Sequence, residues 1–179
     1  MSRRTLVALI IAGQLLFMAG LIARQEYKWR AWRTIQLRVV PLDPVALFRG
    51  RYVHLTYDFS VLSARGEDWK RGETVYVRLK PQGDGTWKAA EVSRTLDQQP
   101  EEVLLRGMVV HAYGGRVFLR TGIESYFMSE RKAPEIERLS PQKYDMRVDV
   151  AVSNDGRAAL KQLYIDGIPA EDFQPRPRE

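Results

Sequence analysis

Two histidines and a scatter of carboxylates are the side chains here best suited to metal binding or proton transfer. His54 and Asp58 stand in the stretch RYVHLTYDF. In an extended segment Tyr52, His54, Thr56 and Asp58 share one face, while Val53, Leu55, Tyr57 and Phe59 share the other. Four strand residues put His54 and Asp58 about 13 Å apart, too far to share one zinc ion. His111 has no partner at ligand spacing, and nothing matches HExxH or an Asp-rich calcium loop. No metal and no other cofactor is expected.

Glu124, Glu130, Glu135 and Glu137 crowd a second region. Paired carboxylates hydrolyse substrates when their surroundings push their pKa values apart, so a hydrolase-like enzyme using Glu124 and Glu130 is one reading. A solvated acidic edge is the other, and it is preferred here. GxSxG, a phosphate-cradling glycine loop and a dinucleotide fingerprint are all absent. The GDG at 83–85 and the pair Gly114 and Gly115 read as hairpin turns, where the backbone needs positive φ. Trp69, Trp87, Tyr113 and Tyr126 could stack on sugars or bases. Without a basic groove they read as core or strand-pair aromatics.

The elements that must position these residues fall into two classes. Residues 5–23, TLVALIIAGQLLFMAGLIA, form 19 positions without a charge. As a helix they rise about 28 Å, close to a hydrocarbon core of about 30 Å. The run exceeds the 7–15 residues usual for a signal-peptide core, and no convincing small-residue cleavage site follows it, so an uncleaved anchor contacting membrane lipid is expected. Ala8, Ala12, Ala19 and Ala23 fall within about 60° on that helix, a stripe that would let another span approach. From residue 34 short runs of period two take over, rich in Val, Leu, Tyr and Thr and divided by Gly, Asp and Asn.

Those runs predict TIQLRVV as a strand, a short helical turn capped at Asp43 and Pro44, RYVHLTYDF as a second strand, and three hairpins turning at 83–85, Gly114 and Gly115, and 154–156. SERKAPEIERL is long enough for one short helix. The expected fold is mainly β: one N-terminal transmembrane helix, then an antiparallel sheet or barrel-like domain of about eight strands. The divisions read as a basic tail (1–4), the anchor (5–23), a basic juxtamembrane linker (24–33), a β-rich domain (34–170) and a flexible tail (171–179).

Charge follows the same division. The chain carries +6 overall, but residues 1–33 hold six basic side chains against Glu26 alone, and the other 146 residues carry 22 basic and 21 acidic ones. The excess brackets the apolar run, so nucleic acid is not an expected partner, and an anionic-polymer-binding module is the third-ranked reading. The chain has no cysteine, which excludes disulfides and thiolate metal sites.

The stretch PLDPVALFRGRYVHLTYDFS resembles the signature of the GDYXXLXY proteins, a bacterial group of unassigned function. Gly50, Tyr52, Leu55 and Tyr57 occupy the named positions. GIESYFMSE (122–130) is similar to a second segment of that group at Gly122, Ile123, Glu124, Tyr126 and Phe127. Arg51 replaces the name-giving aspartate, and Ser129, Glu130 and Arg131 replace a Pro-Glu-Gly. The resemblance implies a single-pass protein of the inner or cytoplasmic membrane, its C-terminal domain outside the cytoplasm, working beside an integral membrane protein. It implies no catalytic residue.

Overall fold

A computed structural model of the chain describes residues 3–40, 52–63, 68–129, 132–137, 139 and 143–174. The expected turn at Asp43 and Pro44, together with Gly50 and Arg51, lies outside those residues, as do Glu130, Arg131 and 175–179. The chain divides into two units, Met1–Trp32 and Arg33–Glu179.

The first unit is one helix, α1 (Arg3–Ala31). Its Arg4–Ala23 stretch has a mean hydropathy of 2.5 and is long and apolar enough to cross a membrane. Large apolar side chains such as Leu9, Leu16 and Phe17 are exposed along it. A helix apolar on all sides suits a hydrocarbon solvent better than one side of a soluble core. Helix continues through 24–31, so most of the segment expected as a linker is helical.

The second unit is mainly β. In chain order it holds β1 (Arg33–Arg38), β2 (Tyr52–His54), a 3₁₀ turn (Asp58–Ser60), β3 (Val61–Ser63), β4 (Thr74–Pro81), β5 (Thr86–Ser93) and β6 (Val103–Tyr113). There follow β7 (Arg116–Arg120), β8 (Ser125–Phe127), the short helix α2 (Ala133–Glu137), β9 (Met146–Val152), β10 (Ala158–Ile165) and β11 (Ile168–Pro169). The three hairpins and the short helix form where their turn and capping residues predict. Gly85, Gly114, Gly115 and Gly156 all take positive φ in the hairpin turns.

The continuous strand expected over RYVHLTYDF does not form. Only Tyr52–His54 pairs as a strand, and the chain then winds into the 3₁₀ turn before β3. With β3, β8 and β11 added, the described residues hold eleven strands rather than eight. Nine make one sheet in the order β11-β10-β9-β1-β5-β4-β6-β7-β3, and β2 and β8 pair separately. The large sheet is not purely antiparallel: β1 runs parallel to β5 at Gln36↔Thr86 and Leu37↔Trp87.

Alternate residues of these strands fill one interior. Ile35 and Leu37, Val75, Val77 and Leu79, Val148 and Val150, and Leu163 and Ile165 are all essentially buried. Register shifts in the β4–β5, β6–β7 and β9–β10 pairs add the local twist that curls a sheet. The curl brings the β9–β10 turn round to β6, where Arg106 N donates to Gly156 O at 2.7 Å. The sheet is thus closed on itself into a barrel-like body by a turn.

Gly156 therefore has two jobs, of which Gly85 shares only one. Both take φ of +80°, but a Cβ on Gly156 would stand 3.0 Å from Arg106 N, whereas one on Gly85 meets nothing within 4 Å. Gly156→Ala is expected to cost more than the roughly 1–3 kcal/mol of backbone strain common to both sites. Urea unfolding of Gly156→Ala and Gly85→Ala compares them; equal losses would refute a close approach at the closure.

Buried charge gives a second expectation. Glu102 lies in the wall beside Arg78, whose Nη1 donates to Glu102 Oε2 at 2.5 Å, with Lys80 Nζ 3.3 Å from Oε1. Burial pushes the Glu102 carboxyl up, but the bonds from Arg78 and Lys80 outweigh it and hold the carboxyl below its ordinary range. A folded state that binds the proton more weakly than the unfolded chain is stabilised above the unfolded pKa of about 4.3, and loses that stability as pH falls through the folded value. The gap between neutral and acid unfolding midpoints should shrink in Glu102→Gln, and an unchanged gap would count against the pair.

Candidate functional site

The two stretches singled out in the sequence lie side by side. β2 pairs with β8 at Tyr52↔Phe127, Val53↔Tyr126 and His54↔Ser125. Beyond the pair, Leu55 N donates to Glu124 O at 2.8 Å, and the Tyr57 hydroxyl donates to Ile123 O at 2.7 Å. Val53, Leu55, Tyr57 and Phe59 all point into the core, as the alternation requires. Ser60 turns the chain, its Oγ accepting from Tyr57 N at 3.1 Å and its N donating to Tyr57 O at 3.0 Å. The Tyr57 and Phe59 rings stack with centroids 4.9 Å apart. Burial first, and the charge of Glu124 second, raise the Tyr57 phenol well above its ordinary pKa. It stays a neutral donor.

The opposite side of this segment explains why the parallel pairing of β1 and β5 is short. Val40 N donates to Thr56 O at 2.8 Å on the β1 side, and Ala89 N donates to Asp58 Oδ2 at 3.3 Å on the β5 side. Thr56 and Asp58 act as a wedge, taking the backbone donors that the diverging strands leave open.

Glu124 is absorbed by its own turn. Its Oε1 accepts from Thr121 N at 2.5 Å and Thr121 Oγ1 at 2.9 Å, and its Oε2 accepts from Gly122 N at 2.9 Å. Gly122 takes φ of +87°, which a side chain would resist. Tyr126 is buried, and its hydroxyl donates to Glu171 Oε1 at 2.7 Å. Burial and then the Glu171 carboxylate push its pKa to about 12. Burial raises the Glu171 carboxyl, but bonds from Tyr126 and Gln162 prevail and hold it low. Lys132 Nζ also donates to Phe173 O at 2.7 Å, and the Phe173 ring is buried. Residues 171–174, assigned from sequence to a free tail, are fastened to the domain.

The remaining sequence candidates are dispersed. His54 is exposed, Phe127 is exposed, and Glu135 is exposed on α2 with Lys132 Nζ 3.9 Å away. Among the described residues no group of three or more His, Asp or Glu side chains is placed to hold a metal ion. Trp69 and Tyr126 are buried, Trp87 packs partly against the core, and Tyr113 is exposed. Glu171 carried no signal in the sequence, because one glutamate in a polar, proline-rich ending looks like any other.

Where β1 and β5 part, a groove of about 480 Å³ opens, lined by Arg38, Val40, Asp58, Asp84, Thr86, Trp87 and Lys88 among others. Burial raises the Asp58 carboxyl, and the bond from Ala89 N and the charge of Lys88 only partly counter it. Asp84 is held low, first by Thr86 Oγ1 at 2.6 Å and Thr86 N, with Arg38 Nη2 at 3.1 Å adding its charge. Arg33 lies over the Trp87 ring at 4.7 Å. Two acids and two bases line the groove, and Asp84 is already bonded. The arrangement offers polar contacts to a small molecule, and among the described residues of its lining Asp84 is the only carboxylate besides Asp58.

A membrane-length helix followed by a curled β domain, in which Tyr57, Glu124 and Tyr126 bond within the domain, defines a class of single-helix β proteins. Residues 14–163 match the family model described as GDYXXLXY protein, and the chain belongs to that family. No curated protein and no solved structure matches it.

The Tyr57 bond generates the sharpest expectation here. Tyr57→Phe leaves the Ile123 carbonyl without its buried donor and should cost about 1–3 kcal/mol, whereas Tyr126→Phe should cost less because exposed Glu171 regains water. Denaturant unfolding ranks the two; a reversed order would refute the central place given to Tyr57.

Proposed function

We propose that this chain is a membrane-anchored accessory protein. In this reading α1 spans the inner or cytoplasmic membrane once and holds the β domain on the extracytoplasmic side, where the domain binds an integral membrane or envelope partner. The reading is carried by one combination: a helix long and apolar enough to span, joined to a domain in which Tyr57, Glu124 and Tyr126 are bonded internally. Tyr57, Glu124 and Tyr126 serve the architecture, so a hydrolase built on Glu124 would need its carboxylate released from Thr121 and Gly122. The near-neutral body speaks against a general polymer-binding role.

Two measurements test this reading. In detergent extracts of the native membrane, a tagged full chain is expected to bring down one integral membrane protein at fixed stoichiometry; no such protein above background sinks the accessory role. A reporter fused after residue 179 should be active only outside the cytoplasm, and activity confined to the cytoplasm reverses the orientation.

A further inference from the structure

The outward face of the β6–β7–β3 edge carries large apolar side chains and cations together. Val117 and Leu119 of β7 point into the core, so Arg116, Phe118 and Arg120 point out. Register places Phe118 beside Val61 and His111, Arg120 beside Met108, and Arg116 beside Tyr113 and Ser63. Tyr113 is 79% exposed, Met108 43%, Val61 41% and Phe118 38%. No acidic residue occupies these paired outward positions; the next partner across, on β4, is Thr74. Neither Arg116 nor Arg120 has an ion-pair or hydrogen-bond partner among the described residues.

Such a patch is unusual on a surface facing only water, where apolar side chains gathered together usually mark a contact. Its chemistry is that of a bilayer interface, with arginines for anionic headgroups and a tyrosine and a phenylalanine for the headgroup boundary. The chain between the span and the domain is also short. Beyond Ala23 the helix runs eight more residues, a rise of about 12 Å, and Trp32 alone separates α1 from β1. A headgroup layer is itself about 5–7 Å thick.

We infer that this face, centred on Arg116, Phe118 and Arg120, docks the β domain onto anionic lipid headgroups of the bilayer that α1 spans. The inference rests on the reading of α1 as a span and is independent of sidedness and of any integral partner. Docking holds the domain in one orientation against the membrane, so its other faces are presented at a fixed height to a neighbour.

The chain has no native cysteine, so single cysteines can be introduced for labelling without background. Full-length protein carrying a fluorophore at Ser63→Cys, Gln99→Cys or Leu16→Cys is reconstituted into vesicles of phosphatidylcholine alone or mixed with phosphatidylglycerol, with quenchers at headgroup or acyl depth. Ser63 marks the proposed face, Gln99 the loop at the other end of β6, and Leu16 the span. The expected result is headgroup-depth quenching at Ser63 but not at Gln99, stronger with phosphatidylglycerol and weakened by salt. Arg116→Gln and Arg120→Gln should each lower the docked-to-free ratio about fivefold, with unchanged unfolding midpoints because both side chains are exposed and have no partner among the described residues. Tyr113→Ser should lower it too. Acyl-depth quenching at Leu16 with none at Ser63 overturns the docking while leaving the anchor standing. Absence of quenching at Leu16 overturns both. Equal quenching at Ser63 and Gln99, or quenching indifferent to lipid charge and to both arginines, also overturns the inference.

Discussion

A buried phenol that must find an acceptor sets the arrangement of this domain. Tyr57 lies inside the core and donates to the carbonyl of Ile123, and that contact requires the two family stretches to lie against each other. Glu124, one residue on, ties its carboxylate to Thr121 and Gly122 and so fixes the turn that presents the Ile123 carbonyl. An unpaired hydroxyl or carbonyl at this depth would be costly, so each group constrains the other. With the stretches joined, the chain from Leu55 to Asp58 enters the gap between β1 and β5 and supplies acceptors on both sides. The family signature behaves here as a clasp.

The polar groups of the domain follow one logic. Glu102 faces Arg78 and Lys80, Glu171 faces Tyr126 and Gln162, and Asp84 faces Thr86 and Arg38. Each carboxylate is met by donors in place, which makes these groups suited to specifying one geometry and poorly suited to exchanging protons with a substrate. Asp58 departs from the pattern because burial raises its carboxyl more than its backbone hydrogen bonds and the charge of Lys88 lower it, and the bond from Ala89 N is long at 3.3 Å. The cations at the β6–β7–β3 edge depart in the other sense, being exposed and without an acid at the strand positions paired with them.

Period-two alternation in the sequence revealed which side chains point inwards. Val53, Leu55, Tyr57 and Phe59 are buried as a set although regular strand ends at His54. The pattern reports sidedness and is blind to hydrogen-bond partners, so a segment held by single bonds to three neighbours reads like a strand held by one. Hairpins were legible because their turns need positive φ, and glycines at 85, 114, 115 and 156 announce that need. β3, β8 and β11 span only three, three and two residues, too short for any periodicity to register. Glu124 was visible as a residue of interest but not as a turn closure, since its partners are backbone amides that any sequence supplies. The parallel contact of β1 with β5, and the fastening of Glu171, depend on tertiary closure that no local window contains.

The central position of β1 bears on how this protein is made. It follows the helix after a single residue, yet its antiparallel neighbour in the sheet is β9, and the Gln36 and Asp149 side chains that meet at 3.1 Å are separated by 113 positions. At synthesis rates of about 5–20 residues per second, β1 waits roughly 6–20 s after emerging before that partner exists. Until then the strand beside the helix can pair with β5 but is open on its other side. Closure of the sheet on the β9 side of β1 therefore comes late, and the domain stays open there until its last long hairpin has been made.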